Sequence, residues 1–485
     1  MNKKLVLNIS ARVVFIISFF MVFPLFWSLY YNPSHKETKV FLFLIIFGAL
    51  LSYLVVRVLR IADCQIENMS PKDGLAIVGI SWLVVSIFGA FPFYFSGVAK
   101  NFSDAFFESV SGFTTTGATI FTNIETLPKG ILFWRSLTHW LGGMGIIVLS
   151  VALLPAFGKG AFLLFKTEVP GPGAEKLKPK VIQTAKILWS VYIILSVLET
   201  IFLMLGGMEF YDALCHTFGT MATGGFSTKN ASIAYYSPYI QWVIIIFMLF
   251  AGANFMLHYQ LLFGFSIKQY WKSEEFRVFS IIIILFIIVF AVSSNIFWNI
   301  TLSVRELTFQ IISILTTTGY TTADFDKWPN AMRFLLFLLM FIGGCAGSTG
   351  GGMKVIRIYT ALKASINSIL QSIFPNGIFT VKIDSIPVEK KLINAVFSYC
   401  FIFVALFVIG AVVMLFTQRC DLETAASASI ACLGNIGPGL SKVGAIRNYA
   451  WITPFGKTFL AFLMLAGRLE LYPILVFFTR SLWKK

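Results

Sequence analysis

Charge is scarce in this sequence. Only 12% of its 485 residues are Asp, Glu, Lys or Arg, about half of the 25% usual in a soluble domain. So little charge cannot clothe a water-exposed surface of this size, which excludes a soluble enzyme or binding domain. Histidine is rarer still. The four residues His35, His139, His216 and His258 show no H-x-H or H-E-x-x-H spacing, which excludes the helical zinc-hydrolase pattern. Six cysteines are scattered without a C-x-x-C pair, so neither a disulfide framework nor a thiolate metal site is expected. Acidic residues number 22 against 38 basic ones, a net charge of +16. In a soluble chain that excess would suggest nucleic acid. Here the basic residues collect between apolar runs, the positive-inside pattern of a membrane protein, and no nucleic-acid partner is expected.

Two enzyme-like motifs also fail. The stretch GGCAGSTGGGMK, Gly343 to Lys354, superficially suggests a phosphate loop, but Lys354 is followed by Val355 rather than Ser or Thr. AGSTG, Ala346 to Gly350, is one residue from a nucleophile elbow, yet no histidine follows Ser348 anywhere in the chain. The chain is therefore read as a non-enzyme.

What the sequence has in abundance is apolar length. Hydrophobic residues make up 57% of it, with a mean hydropathy of +0.82. A bilayer core needs about 20 apolar residues per helix. Ten candidate spans lie near 11–31, 38–60, 73–98, 131–157, 182–206, 237–265, 277–298, 331–367, 392–417 and 453–480. The eighth is interrupted by the glycine stretch. The basic start MNKK and its apolar sequel are too long for a signal h-region and lack an A-x-A site, so the first span is read as retained. An even count places both termini on one side. The loops 158–186 and 353–391 fall on that side and hold six basic residues each, Lys159 to Lys186 and Lys354 to Lys391. That side is read as the cytoplasm.

The outer segments between spans each open with a short, moderately apolar stretch, at Asp104, Tyr211, Arg305 and Leu422. These are too short to cross a bilayer and read as re-entrant helices, tolerated only inside protein or beside a water-filled cavity. Ser303-Val-Arg-Glu306 supplies a capping box for the third. Their ends read FTTTGAT, MATGGFST, LTTTGYTT and LGNIGPGL, aligning Gly117, Gly225, Gly319 and Gly437 at intervals of roughly 100 residues. A fourfold repeat of span, short helix, turn and span follows. Four helix C-termini aimed at one axis attract a cation. The turn after each can present backbone carbonyls in place of a hydration shell, and glycine allows the left-handed backbone this requires. The candidate ion-binding residues are Thr115, Thr116 and Gly117; Thr223, Gly224 and Gly225; Thr317, Thr318 and Gly319; Asn435, Ile436 and Gly437.

Taken together, SGFTTTGAT, TMATGGFST, LTTTGYTT, GNIGPGL, HWLGGMGIIVL, GGCAGSTGGGMK and AGRLELYP resemble the Trk/Ktr/HKT superfamily of potassium transporters, its bacterial TrkH branch most closely, over essentially the whole chain. The resemblance implies an all-α polytopic membrane protein. Four M1–P–M2 units (helix, re-entrant pore helix, helix) surround a pseudo-fourfold pore, after two extra transmembrane helices. On that plan residues 1–65 hold the extra helices, and 66–160, 161–268, 269–370 and 371–485 hold the four repeats. Potassium is implied as the substrate. Gly117 stands where relatives that admit sodium tend to have serine. The turns ATGGF and GNIGP depart from the TTTG form, so hydroxyl lining is uneven. Also implied are a homodimer, the bacterial inner membrane, and a cytoplasmic TrkA-type regulatory subunit whose RCK domains bind a nucleotide. No organic cofactor is expected in this chain.

The glycine stretch interrupts the second span of the third repeat, below LTTTGYTT. Non-helical backbone at membrane depth must line a cavity or be buried in protein, so it reads as a gate across the conduction path. Its residues are Gly343, Gly344, Gly347, Ser348, Thr349, Gly350, Gly351 and Gly352, with Lys354 at the cytoplasmic end. Arg468 lies midway along an apolar run, where a charge costs at least roughly 2.5–3.5 kcal/mol. The resemblance implies that it points into the pore below the filter; an ion pair with Glu470 or Glu199 is the alternative. Alternating-access symport coupled to protons or sodium is the rival to a channel-like pathway.

Overall fold

The computed structural model describes residues 3–32, 36–58, 71–153, 177–294 and 303–480. The basic loop expected at 158–186 lies outside these residues as far as 176. Two N-terminal helices, α1 (Lys3–Phe20) and α2 (Val22–Tyr31), run on as one span, and α3 (Lys36–Val58) returns beside them. Small residues let them approach: a Cβ on Gly48 would lie 1.9 Å from the Ser18 hydroxyl, and Ser52 Oγ donates to Ala11 O at 2.7 Å. Such contacts are how helices associate where lipid removes the hydrophobic drive.

Four units of one pattern follow. The first is α4 (Pro71–Phe95), the short α5 (Phe102–Phe113) and α6 (Lys129–Leu153). The second is α7 (Leu177–Leu205), the short α8 (Phe210–Met221), then α9 (Pro238–Gly252) and α10 (Phe255–Leu262). After α11 (Lys268–Lys272) the third comprises α12 (Glu274–Val292), the short α13 (Val304–Leu315), α14 (Asn330–Leu339) and α15 (Val355–Ile373). A two-stranded hairpin, β1 (Lys382–Ile383) against β2 (Ile386–Pro387), precedes the fourth: α16 (Lys390–Gln418), the short α17 (Leu422–Leu433), α18 (Pro454–Arg468) and α19 (Tyr472–Leu475). The short helices form the centre, and Leu307 to Leu315 are buried without exception. The long helices form the outside, where α12 exposes Ile281, Ile284, Leu285 and Ile288, an apolar face suited to lipid.

The returning helices depart from the expected spans. The run 237–265 is not one helix: α9 and α10 meet at 107°. Asn254 ends one and caps the other, its Oδ1 accepting from Met256 N at 2.9 Å. The carbonyls freed by this break, Ala251 O and Gly252 O, accept from Thr349 N at 3.3 Å and Cys345 N at 2.8 Å. The glycine stretch of the third repeat thus satisfies a helix end in the second, as buried helix termini require. The run 453–480 also stops, at Arg468, because Glu470 and Leu471 are left-handed (φ 57° and 67°). Pro473 then sits within the first turn of α19, where it needs no amide donor.

Outside the short helices the loops interlock in order. Asn230 Nδ2 donates to Asn123 Oδ1 at 3.1 Å, joining repeats 2 and 1. Ile233 N and Ala234 N donate to Thr321 O, joining 2 and 3. Ser441 N donates to Asp326 Oδ1 at 2.9 Å, joining 4 and 3. Tyr449 N donates to Thr119 O at 2.9 Å, and Lys457 Nζ meets Asp104 Oδ1 at 2.6 Å, closing 4 onto 1. Burial holds the Asp326 carboxyl above its ordinary pKa, against the opposing pull of the Ser441 amide and Arg333.

Candidate functional site

Each short helix is 12 residues long. Asn101, Ser303 and Asp421 cap three of them through side chains, and Ser303 with Glu306 forms the expected capping box. Each helix then ends in the same backbone figure. Thr115, Thr223, Thr317 and Asn435 are left-handed (φ 52°, 55°, 60° and 56°), and two residues later so are Gly117, Gly225, Gly319 and Gly437 (φ 80°, 79°, 79° and 97°). Left-handed backbone costs a non-glycine residue roughly 1–2 kcal/mol. Four such residues in register are held there by their surroundings, the mark of a site rather than of chance. One residue of negative φ separates each left-handed pair, an alternation that lines up successive peptide dipoles.

The four turns close a ring. A Cβ built on Gly117 would lie 2.1 Å from Gly224 O; on Gly225, 2.1 Å from Thr318 O; on Gly319, 1.9 Å from Ile436 O; on Gly437, 2.5 Å from Thr116 O. Every glycine abuts the carbonyl of the residue that precedes the next repeat's glycine, and the fourth returns to the first. All four glycines line one cavity of about 120 Å³, shared with Thr119, Ser227, Thr321 and Tyr449. Tyr449 OH donates to Gly437 O at 2.8 Å.

The hydroxyls are less uniform than the backbone. Thr116 and Thr318 bond sideways, to Thr114 Oγ1 and Thr316 Oγ1, both at 2.8 Å. Thr223 Oγ1 donates to Ala222 O. Thr115 Oγ1 and Asn435 Oδ1 are buried without a hydrogen-bond partner among the described residues.

Beneath the ring lies the glycine stretch. Gly343 to Lys354 are buried apart from Gly347, which is half-buried. Gly343, Gly347, Gly352 and Lys354 have positive φ, so the segment cannot be helical. Its polar groups are taken up by several repeats. Gly351 N donates to Thr317 Oγ1 at 2.7 Å, and Thr349 Oγ1 to Met221 O at 2.9 Å. Phe255 N donates to Gly347 O at 3.0 Å, and Ala346 N to Glu275 Oε1 at 2.6 Å. Lys354 Nζ folds back onto Gly350 O at 2.7 Å. A Cβ on Gly351 would lie 2.4 Å from Gly434 O, so only glycine passes there.

Arg468 is buried and donates to two carbonyls, Thr349 O at 2.6 Å and Gly142 O at 3.2 Å. It thereby ties the glycine segment to the first repeat. Of the two carboxylates weighed as its ion-pair partners, Glu470 meets Arg357 at 2.5 Å, and neither Glu199 oxygen has a hydrogen-bond partner among the described residues. Sequence reasoning missed Glu275, Phe255 and Met221 as supports of the segment. Glu275 alone carried a signal, an acid at the start of an apolar run.

The family model TrkH, described as a cation transport protein, matches residues 34–485. The Trk system potassium uptake protein TrkH of Escherichia coli (strain K12) is 39% identical over 426 residues, covering 86% of this chain and 87% of that protein. TrkH of Halomonas elongata is 38% identical over 491 residues and all of both chains. The crystal structure of the potassium transporter TrkH from Vibrio parahaemolyticus matches all of both chains with a TM-score of 0.89 at 33% identity.

Proposed function

The chain belongs to the TrkH family of cation transport proteins, and on that footing we propose that it carries potassium into the cell through a fixed selectivity filter. It is a multi-pass membrane transporter, not an enzyme. The observation that carries the filter reading is the closed ring. Gly224 O, Thr318 O, Ile436 O and Thr116 O each stand against the glycine of the neighbouring repeat. Four carbonyls around an axis replace the water shell of a cation, and four helix C-termini add their partial negative charge. The unmet oxygens of Thr115 and Asn435 at the inner end suit the same ligand, since buried acceptors need a donor or a cation.

The gate in this reading is the glycine segment 343–352, held shut by Arg468. A guanidinium beneath the ring repels a resting cation and, through Thr349 O, fixes the segment across the path. Lys354 leads directly into α15, so a subunit that pulls α15 moves the segment. A cytoplasmic partner of the TrkA type, regulated by a nucleotide on its RCK domains, fits that lever. α15 also exposes Leu362, Ile366, Ile369 and Ile373, a heptad-spaced apolar stripe that fits a second copy of this chain. In this reading the protein lies in the bacterial inner membrane with both termini in the cytoplasm.

Purified protein in proteoliposomes is expected to admit rubidium, and Gly319→Asp to abolish that influx, because a side chain there meets Ile436 O. Wild-type flux with unchanged potassium preference in Gly319→Asp would refute the filter assignment.

A further inference from the structure

Behind the ring, one register of the short helices does the same work in three repeats, and a neighbouring residue does it in the fourth. Nine residues before the ring glycines stand Glu108, His216, Gln310 and Ala428. The first three grip the strand that rises from their own turn. Glu108 Oε2 accepts from Ile120 N at 2.9 Å, and Glu108 Oε1 from Thr119 Oγ1 at 2.9 Å. His216 Nδ1 donates to Asp212 O at 2.7 Å, which leaves Nε2 to accept from Ser227 Oγ at 3.0 Å. Gln310, with its amide oriented to satisfy its neighbours, accepts from Thr322 N at 2.8 Å and Ala323 N at 3.0 Å. Ala428 has no polar group, and the adjacent Ser427 serves instead, its Oγ accepting from Leu440 N at 2.9 Å. The grips fall two to four residues beyond the ring glycine in every repeat.

The first grip differs from the others in two ways. It is ionic: Arg135 Nε meets Glu108 Oε1 at 2.6 Å, with both side chains buried. It also crosses between repeats. Arg135 Nη1 donates to Ser227 O at 2.9 Å, two residues past Gly225, and the guanidinium lies 3.5 Å from the centre of the Phe226 ring. One buried pair therefore holds the strands above two adjacent ring glycines, Gly117 and Gly225. Charge-assisted bonds are roughly twice as strong as neutral ones, so this corner of the ring is the stiffest.

We infer that these side chains act as struts which fix the ring's width, and that Glu108 and Arg135 are specificity-determining positioning residues for potassium over sodium. Arg135 also borders the cavity shared by the four glycines, but the inferred role of both residues is to hold the backbone, not to bind the ion. Their loss lets repeats 1 and 2 shift, so that the carbonyls close on a smaller cation. The inference rests on reading the ring as the filter, and its test separates the two ideas.

The measurement is the ratio of sodium to rubidium influx into proteoliposomes holding the full chain. A purely structural lesion lowers both fluxes together and leaves the ratio alone. Glu108→Gln strips the charge that holds Arg135 and is expected to raise the ratio about tenfold. Arg135→Lys keeps the ion pair's charge but loses the fork that reaches Ser227 O, and is expected to raise it about threefold. Arg135→Lys decides the matter if Glu108→Gln does not assemble. Gly117→Ser serves as the ring control. A wild-type ratio in the strut variants beside an altered ratio in Gly117→Ser overturns the inference and leaves the filter standing. An unchanged ratio in Gly117→Ser removes the filter reading, and the inference with it.

Discussion

Lys457 and Asp104 show what one buried pair does for this molecule. They lie 353 positions apart, are 4% and 6% exposed, and meet at 2.6 Å. Lys457 Nζ also donates to Ala450 O at 3.0 Å. Asp104 sits in the first turn of α5, where the helix dipole favours an anion. Removing one partner strands the other charge in a poorly solvated place, at a cost of roughly 3–5 kcal/mol. Lys457→Met is thus expected to lower the melting temperature in detergent clearly, and Lys457→Met with Asp104→Leu to recover most of the loss. Equal melting of Lys457→Met and wild type would show that the pair holds nothing together. At this scale the sequence was informative about backbone and nearly silent about partners. Gly117, Gly225, Gly319 and Gly437 were legible because only a left-handed turn explains glycine at one register four times. Arg468 was legible as a costly charge. Its acceptors, Thr349 O and Gly142 O, were not, since carbonyls carry no sequence label.

Helices that stop early are the elements on which the proposed gating turns. The glycine stretch announced its own break, because six glycines in ten residues cannot propagate a helix. The breaks after Gly252 and Arg468 were hidden inside runs that remain apolar on both sides. Hydropathy measures residence in the membrane, and half-helices buried in protein satisfy it as well as spans do. What stops α9 is a demand from elsewhere: its last carbonyls serve as acceptors for Cys345 and Thr349. The segment is therefore held by α8, α9, α10, α12, α18 and the third ring turn, and in the proposed gate each bond that holds it opposes opening. Arg468→Gln removes the charge and weakens the bonds to Thr349 O and Gly142 O. Hydrogen bonds are worth about 0.5–1.5 kcal/mol each, more when charged, and 1.4 kcal/mol is tenfold in an equilibrium. Rubidium influx through Arg468→Gln is expected to rise roughly fivefold to tenfold on that scale. Influx at or below the wild-type level, from protein reconstituted at equal density, would show that Arg468 does not restrain the segment.

The whole molecule divides into a closed outer ring and an inner assembly with one soft part. Above the ring of glycines the four repeats are bonded in sequence, through Asn123 and Asn230, Thr321 and Ile233, Asp326 and Ser441, Thr119 and Tyr449. No repeat can move outward there without breaking bonds to both neighbours. Below the ring, repeat 3 meets the others through the glycine segment, where six of ten residues lack a side chain, through Arg357 with Glu470 and through α15 packed on α16. A tightly packed body moves between discrete arrangements rather than deforming evenly, so motion belongs to the inner part. Two bridging experiments separate the halves. In a chain whose native cysteines are replaced, Asn123→Cys with Asn230→Cys places thiols across the outer ring between repeats 1 and 2. Thr349→Cys with Met221→Cys places them between the segment and the end of α8, where Thr349 Oγ1 donates to Met221 O at 2.9 Å. Joining the outer pair with a short bifunctional reagent is expected to leave rubidium influx unchanged, because nothing there has to move. Joining the inner pair is expected to stop it, with influx restored when the bridge is cleaved. Loss of flux on bridging the outer pair, or full flux with the inner pair bridged, would place the moving part on the wrong side of the filter.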